Sequence, residues 1–344
     1  MTVETRKTYP AIDLFKFGAA LLIVTIHTIF YWHYDAPLPQ HSALSLMAFA
    51  RNGVPFFFMV SAFFLYGRQG KDVSWHQVGR LLKVYLAWGL LTLPLIVYTY
   101  YVHRYLEAGE SLSNLGLSLF KGLFFQGLYA GSWFILVNVW CILIVKYARL
   151  KNVPLLIIGA LLYVLAVMDS AYYVPLSGYL PFREVQQIVG AYCFFVPAGL
   201  LYFMIGKVLA EHKDRIGWLK SHRKLLYAAT LVMVVVNIGE LWHCDAAGYI
   251  GGRLRTDHTF TLPLSAVLLF LSCLTIELKD RPVYKRLRAL STIVYLGQFP
   301  VIRILFYVGV QDVALYAATI TIVILFGLLV LRLARRWPAL RTLY

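Results

Sequence analysis

Residues 13–28, "DLFKFGAALLIVTIHT", form an apolar run whose ionisable residues are Asp13, Lys16 and His27. Eleven helical steps of 100° end about 20° past three full turns, so Lys16 and His27 share one face of a helix. At 1.5 Å per residue they lie roughly 16 Å apart along the axis, about half the thickness of a bilayer's hydrocarbon core. The stretch therefore predicts a membrane helix with two ionisable groups on the same side.

The composition of the whole chain also indicates a membrane protein. Of its 344 residues, 60% are hydrophobic and 14% are charged, and the mean hydropathy is +0.70. A water-soluble domain carries about 25% charged residues. The apolar runs predict ten spans, at roughly 12–33, 44–66, 81–102, 131–147, 153–168, 188–210, 225–242, 259–277, 290–310 and 313–332. We expect an amphipathic or re-entrant helix at 112–127.

The distribution of basic residues predicts the orientation. Connections after even-numbered spans are rich in lysine and arginine, whereas those after odd-numbered spans, outside the segment 112–127, hold only Arg104, Arg183, Arg253 and Arg255. By the positive-inside rule, both termini face the cytoplasm. The net charge of +16 therefore reflects topology. The sequence shows no water-soluble basic module of the kind that binds nucleic acid.

The remaining features predict one domain over residues 1–344. The first apolar run is long and lacks a small-residue cleavage site, so we expect it to anchor the chain. The four cysteines show neither a disulfide framework nor a metal-binding spacing. The predicted fold is an all-α, polytopic transmembrane helical bundle of about ten spans.

Ionisable side chains within spans are the first candidates for function, because each costs on the order of 2.5–3.5 kcal/mol to insert. His27 is a candidate general base, since an imidazole accepts a proton near neutral pH, although it could simply bridge two helices. Lys16 could instead snorkel to the headgroups. Arg80 and Lys83 lie one turn apart at the cytoplasmic end of the third span, where such a pair most often anchors the helix.

Six segments occur in an informative order along the chain: "KFGAALLIVTIH", "VPFFFMVSAFFL", "GRLLK", "GSWFILV", "VPAGLLYFMIGKVLA" and "LRALSTIVYLGQFP". Together they resemble the membrane-bound acyltransferase 3 family over nearly the whole chain. The family's Arg, ten residues and His in the first span correspond to Lys16 and His27, and its Arg-x-x-Arg corresponds to Arg80 and Lys83. Besides Lys16, Ala62 and Gln298 depart from the family pattern, which usually has Gly and often has His there.

The resemblance implies a multi-pass enzyme of the bacterial plasma (inner) membrane. It would transfer an acyl group, commonly acetyl, from cytoplasmic acyl-CoA to a hydroxyl of an envelope glycan, lipid or cell-wall precursor, without a metal. Lys16, Arg80 and Lys83 would form a cationic mouth for the phosphates of CoA, and His27 would remove the proton of the acceptor hydroxyl. The expected partners are the lipid bilayer and a glycan or lipid-linked acceptor, not nucleic acid; a homo-oligomer is left open.

Polar residues of other spans are candidates for the acceptor side. These are Arg51, Ser132, Trp133, Glu240, Gln298 and Arg303. Gln298 and Arg303 are five residues apart, about 140° past one turn, so only one can line the centre of a cavity, and we choose Arg303. Arg51 and Arg303 are expected to face the bundle interior. A structural ion pair between Arg303 and Glu240 is the alternative.

Two other classes of protein stay open. Family-like membrane modules attached to amino-acid racemases are thought to import substrate, and polar groups within the spans fit such a transporter. A purely structural membrane anchor would explain the spans but not the buried charges. Binding or hydrolysis of a CoA thioester would favour the enzyme, and substrate uptake without CoA would favour the transporter.

Overall fold

The structure, a computed structural model, describes residues 9–32, 40–67, 74–181, 191–250 and 255–344. Within these ranges every regular element is a helix, as predicted. The α-helices are α1 (Pro10–Trp32), α2 (Gln40–Ala50), α3 (Gly53–Tyr66), α4 (Ser74–Leu91), α5 (Leu93–Val97), α6 (Leu112–Lys121), α7 (Trp133–Tyr147), α8 (Asn152–Met168), α9 (Tyr173–Leu176), α10 (Val196–Glu211), α11 (Ile216–Ser221), α12 (Arg223–Ala246), α13 (Leu262–Thr275), α14 (Pro282–Tyr307) and α15 (Asp312–Leu333). Two π-helices, Tyr98–Glu107 and Gly122–Gln126, follow α5 and α6.

Each of the ten predicted spans contains a helix, but fewer are long enough to cross a bilayer alone. Five candidate spans are α1, α2 with α3, α12, α14 and α15. Two bent pairs raise the number to seven: α4 with the segment Leu93–Glu107, bent by 72°, and α8 with Tyr173–Tyr179, bent by 109°. The chain is thus a multi-pass helical membrane protein by length and composition of its helices. The count of ten and the cytoplasmic termini stay predictions.

Two predicted spans form shorter helices. Helices α7 and α13 have 15 and 14 residues, less than the roughly 20 that span a bilayer unaided. The expected helix at 112–127 is present as α6 and the π-helix after it. Arg183, Arg253 and the first residues of the sixth predicted span, 188–190, lie outside the described residues.

Helices α1 and α14 run side by side in the same direction and hold the site between them. Toward their N-terminal ends, Asp13 Oδ1 and Arg288 Nε are 3.5 Å apart. Toward their C-terminal ends, the ring centroids of His27 and Phe299 are 4.3 Å apart. Two matching contacts at the two ends of one helix pair establish the shared direction.

Helix α3 packs against α1 in the opposite direction. Gly53, its first residue, faces Ile23, and a Cβ there would lie 3.1 Å from the Ile23 side chain. Phe57, one turn further along, lies under Lys16, whose ammonium is 5.8 Å from the ring centroid. A small residue at the start of α3 therefore permits a close α1–α3 contact alongside the His27 end of α1.

Candidate functional site

A cavity of about 390 Å³ lies at the C-terminal ends of α1 and α14. It is lined by polar and apolar residues from four segments: His27, Leu95, Ile96, Thr99, Tyr100, Gly127, Leu128, Tyr129, Ala130, Phe299, Ile302 and Arg303. The structure therefore brings together two of the residues selected from the sequence, His27 and Arg303. The remaining candidates lie outside this lining.

The imidazole of His27 is oriented by its own helix. Its Nδ1 lies 2.8 Å from the carbonyl oxygen of Ile23. A carbonyl only accepts, so Nδ1 carries the hydrogen, and Nε2 of the neutral ring is left as an acceptor. The Phe299 ring packs edge-on against the imidazole. An oriented imidazole beside a cavity, with the Gln298 side chain within hydrogen-bonding range, has the geometry of a general base.

Gln298 lies within hydrogen-bonding range of His27, and its amide also contacts its own helix. Its Nε2 donates to the carbonyl oxygen of Tyr295 at 2.9 Å. Its Oε1 is buried and has no hydrogen-bond partner among the described residues. Gln298 thus supports the wall behind His27, while Arg303, as expected from their angular separation, is the one that reaches the cavity.

Arg303 and Tyr129 add two further polar groups to the cavity. Arg303 is exposed near the C-terminal end of α14, and within the described ranges its guanidinium forms no ion pair, including with Glu240. The Tyr129 hydroxyl is buried and has no hydrogen-bond partner among the residues that the structure describes. The cavity therefore offers an imidazole, a cation and a phenol to a ligand, in otherwise largely apolar surroundings.

Ser132 closes the turn that carries Tyr129. Its Oγ donates to the Tyr129 carbonyl oxygen at 2.7 Å. Gly127 and Gly131 flank this turn with φ of 84° and 91°, a region that favours glycine. A Cβ on Gly131 would overlap the ring of Phe299. The turn thus presses one wall of the cavity against α14.

Trp133 begins α7 behind this turn. Its ring centroid lies 6.3 Å from that of Phe58 and 5.8 Å from that of Phe194. Trp133 and Ser132 therefore contact protein groups that position the cavity wall, and neither lines the cavity itself.

Lys16 lies at the opposite end of α1. It is within electrostatic range of Asp13, Arg288 and Arg80, so the structure brings together two cations of the predicted mouth. The sequence pattern marks Arg288 only as a topology signal, since its pairing across helices has no local pattern. The third predicted cation, Lys83, is exposed one turn further along α4.

Three aromatic rings pack between the Lys16 end and the cavity. Phe57 lies 5.7 Å from Tyr295 and 6.0 Å from Phe134, and Phe134 lies 5.5 Å from Tyr295, between ring centroids. We call these three residues the aromatic layer. It separates a cationic group from a cavity that contains a histidine.

Arg51 faces the protein interior, as expected, but its partner is a carboxylate. Its Nη1 lies 2.5 Å from Asp257 Oδ1, and its Nη2 donates to Thr256 Oγ1 at 3.1 Å. Both charged side chains are largely buried, and both act electrostatically on His27. Asp257 was missed from the sequence. The polar run "RTDHT" at 255–259 between two apolar spans was the available signal.

His258, the neighbour of Asp257, is a buried residue of the same loop. Its Nε2 lies 2.9 Å from the carbonyl oxygen of Cys193, and its backbone N–H donates to Ser170 Oγ at 2.9 Å. Burial lowers the pKa of His258, because a charged imidazolium loses hydration. A neutral His258 therefore helps to hold the 255–261 loop in place behind Arg51.

Glu240 uses both carboxylate oxygens to bind the start of α13. It accepts hydrogen bonds from the backbone N–H groups of Phe260 and Thr261, each at 2.8 Å, and from the Tyr172 hydroxyl at 3.0 Å. The Thr261 hydroxyl also donates to it. Glu240 thus lies outside the cavity and satisfies donors at a helix N-terminus.

These features define a helical membrane protein with a histidine-containing cavity at one end and a cationic group at the other. The chain belongs to the acyltransferase 3 family: residues 9–333 match the family model described as "Acyltransferase domain". Membership supports an acyltransferase. The expectation drawn from the motifs is therefore confirmed at the level of the family.

Two curated relatives, both described as "Amino-acid racemase" from Enterococcus faecalis, are similar to part of the chain. One is 30% identical over 177 residues, covering 48% of this chain and 22% of the relative. The other is 31% identical over 123 residues, covering 36% of this chain and 17% of the relative. The matched region thus corresponds to about a fifth of each relative's length. No solved structure matches the chain.

Proposed function

We propose that the protein is a membrane O-acyltransferase, in the first instance an O-acetyltransferase, that uses cytoplasmic acyl-CoA. The acceptor is a hydroxyl of an envelope glycan, lipid or cell-wall precursor, and the location is the bacterial plasma membrane. The observation that carries the proposal is the orientation of His27, whose Nδ1 is occupied by a backbone carbonyl while its ring lines a cavity. Family membership supplies the acyl-transfer chemistry.

In the proposed reaction, Nε2 of His27 takes the proton of the acceptor hydroxyl as its oxygen attacks the thioester carbonyl. The tetrahedral intermediate collapses, the C–S bond breaks, and the imidazolium returns the proton to the departing thiolate of CoA. General-base assistance of this kind contributes about 10²–10⁴ to the rate. Arg303, at the same cavity, would hold the acceptor through its guanidinium hydrogen bonds.

The donor would enter from the Lys16 end. Lys16, Arg80 and Lys83 are proposed to bind its phosphates by charge-assisted hydrogen bonds. The aromatic layer of Phe57, Phe134 and Tyr295 lies on the way to His27. We propose that these rings change rotamer to admit the thioester to His27, which would keep water from the cytoplasm out of the cavity between turnovers.

The decisive experiment replaces His27 in the purified full chain. We expect His27→Ala to lower acyl transfer from acetyl-CoA by about 100-fold or more, with the midpoint of thermal unfolding retained. His103→Ala is the matched control, because His103 is exposed and contacts Glu107. A folded His27→Ala protein with wild-type turnover would contradict the assignment. Comparing the O-acetyl content of envelope glycans with and without the gene would identify the acceptor.

The similarity to amino-acid racemases supports a second candidate, a non-catalytic membrane module that admits an amino acid. The cavity would then bind the amino-acid carboxylate through Arg303. Vesicles that contain the protein would take up a labelled amino acid without CoA. Neither the wild type nor His27→Ala would transfer an acyl group. If the vesicles took up no amino acid and the protein transferred an acyl group from acyl-CoA, this candidate would be ruled out.

A further inference from the structure

We propose that Arg288 is a donor-binding residue that contacts a phosphate of CoA, and that Asp13 holds Arg288 when the donor is absent. The proposal rests on the acyl-CoA dependence proposed above. It assigns a role to two residues that the motifs do not include, and it makes the donor site a cluster drawn from α1, α4 and α14.

The contact between Asp13 and Arg288 leaves most of the guanidinium available. Asp13 Oδ1 is 3.5 Å from Arg288 Nε, longer than the 2.7–2.9 Å typical of a charge-assisted hydrogen bond. Within the described residues, the two terminal nitrogens of Arg288 have no partner, and its side chain is 49% exposed. Those nitrogens form the planar fork that suits a phosphate.

The charges around this pair favour an anion. Arg80 and Arg288 both act electrostatically on Lys16, and the carboxylate that acts on Lys16 among the described residues is Asp13, whose side chain is 11% exposed. A second carboxylate, Asp280, also acts on Asp13 but is exposed to solvent. Cations held close together repel one another unless an anion compensates them. Lys16 and Arg288 beside one buried carboxylate therefore leave a surplus of positive charge, even before Arg80 is counted.

The position of Lys16 distinguishes this cluster from an ordinary membrane anchor. A lysine that only anchors a helix extends outward to the headgroups. Lys16 instead points into the bundle, with its ammonium over the ring of Phe57. That ring belongs to the aromatic layer, so the cluster lies at the entrance of the route to His27.

When CoA binds, its phosphate would replace the Asp13 carboxylate at Arg288. The two residues should then have opposite effects on donor affinity. Removing the arginine removes a phosphate contact, whereas removing the negative charge of Asp13 frees Arg288 and reduces repulsion of the donor. A purely structural ion pair would behave differently, because breaking it from either side would lower stability and leave affinity unchanged.

The test measures equilibrium binding of CoA to the purified, detergent-solubilised full chain. We expect Arg288→Gln to weaken binding by roughly tenfold or more, the range of a hydrogen bond to a charged group, and Asp13→Asn to strengthen it. Arg288→Lys, which keeps the charge and the contact with Asp13, should weaken binding less. Arg286→Gln is the matched control on the opposite face of α14, since Arg286 is also exposed.

Each outcome decides one proposal separately. Acyl transfer by the wild type with unchanged CoA affinity in folded Arg288→Gln would overturn the role of Arg288 and leave the proposed function intact. CoA binding that requires Arg288, without transfer to any hydroxyl, would support the site and contradict the function. The same variants can be measured in nanodiscs. If they changed the binding of phosphatidylglycerol but left the binding of CoA unchanged, the site would bind a lipid headgroup, which would overturn the proposal.

Discussion

At the scale of single residues, the cavity depends on a close approach between Gly131 and Phe299. Gly131 has a φ of 91°, and a Cβ at this position would overlap the Phe299 ring. That ring packs against His27. A change at a turn residue would therefore alter the surroundings of the histidine without touching it.

We predict that Gly131→Ala destabilises the protein by about 2–5 kcal/mol, the sum of left-handed backbone strain and overpacking, and lowers acyl transfer. Gly109→Ala is the matched control: Gly109 also has a positive φ, 66°, but a Cβ there would meet no other described group within 4 Å. It should show only the strain, about 1–2 kcal/mol. Thermal unfolding in detergent measures both, and equal losses would contradict a clash with Phe299.

At the scale of elements, Glu240 joins α12 to the first turn of α13. It accepts from two backbone N–H groups and two hydroxyls, so its charge stabilises donors that the helix cannot satisfy. The α12–α13 pair also carries the 255–261 loop, whose Asp257 binds Arg51. A carboxylate outside the cavity lining thus stabilises the loop whose Asp257 and Arg51 act electrostatically on His27.

We predict that Glu240→Gln lowers the free energy of unfolding by about 1–3 kcal/mol, because an amide presents hydrogens to donors that need an acceptor. The matched control is Glu277→Gln, whose carboxylate contacts Lys220 and is 68% exposed; a surface pair of this kind contributes about 0–1 kcal/mol. Thermal unfolding measures the difference. If Glu240→Gln kept wild-type stability and lost acceptor binding, Glu240 would be a substrate residue after all.

At the scale of the whole molecule, the shared direction of α1 and α14 gives this helix pair two chemically different ends. The Asp13–Arg288 contact and the neighbouring cations lie at one end, and the His27 cavity lies at the other. If the orientation predicted by the positive-inside rule holds, the cationic end would face the cytoplasm. A donor and an acceptor from opposite sides of the membrane would then approach the same helix pair from its two ends.

We predict that this orientation appears in cysteine labelling of intact cells with a membrane-impermeant maleimide. Gly109→Cys, after the third predicted span, should react from outside, and Ser221→Cys, after the sixth, only after permeabilisation. The four native cysteines are buried, so the background should be low. Labelling of the two sites in the reverse pattern would invert the predicted topology.

Local sequence determined the positions of the helices and the shared face of Lys16 and His27. Apolar runs and the 100° step are properties of neighbouring residues, so they can be counted without knowing the fold. The apolar runs predicted helix length less accurately than helix position, because α7 and α13 are shorter than a bilayer requires. An apolar run marks a helix surrounded by lipid or by protein, and the sequence pattern does not distinguish the two surroundings.

Tertiary structure alone decided which residues meet. Arg288 contacts Asp13 across two helices, Asp257 pairs with Arg51, and Glu240 binds the start of α13. These partners are far apart along the chain, so no periodicity connects them, and their contacts depend on helix packing and loop geometry. The histidine and lysine were therefore identifiable from one helix, whereas the groups that surround them became identifiable only once the helices were packed together.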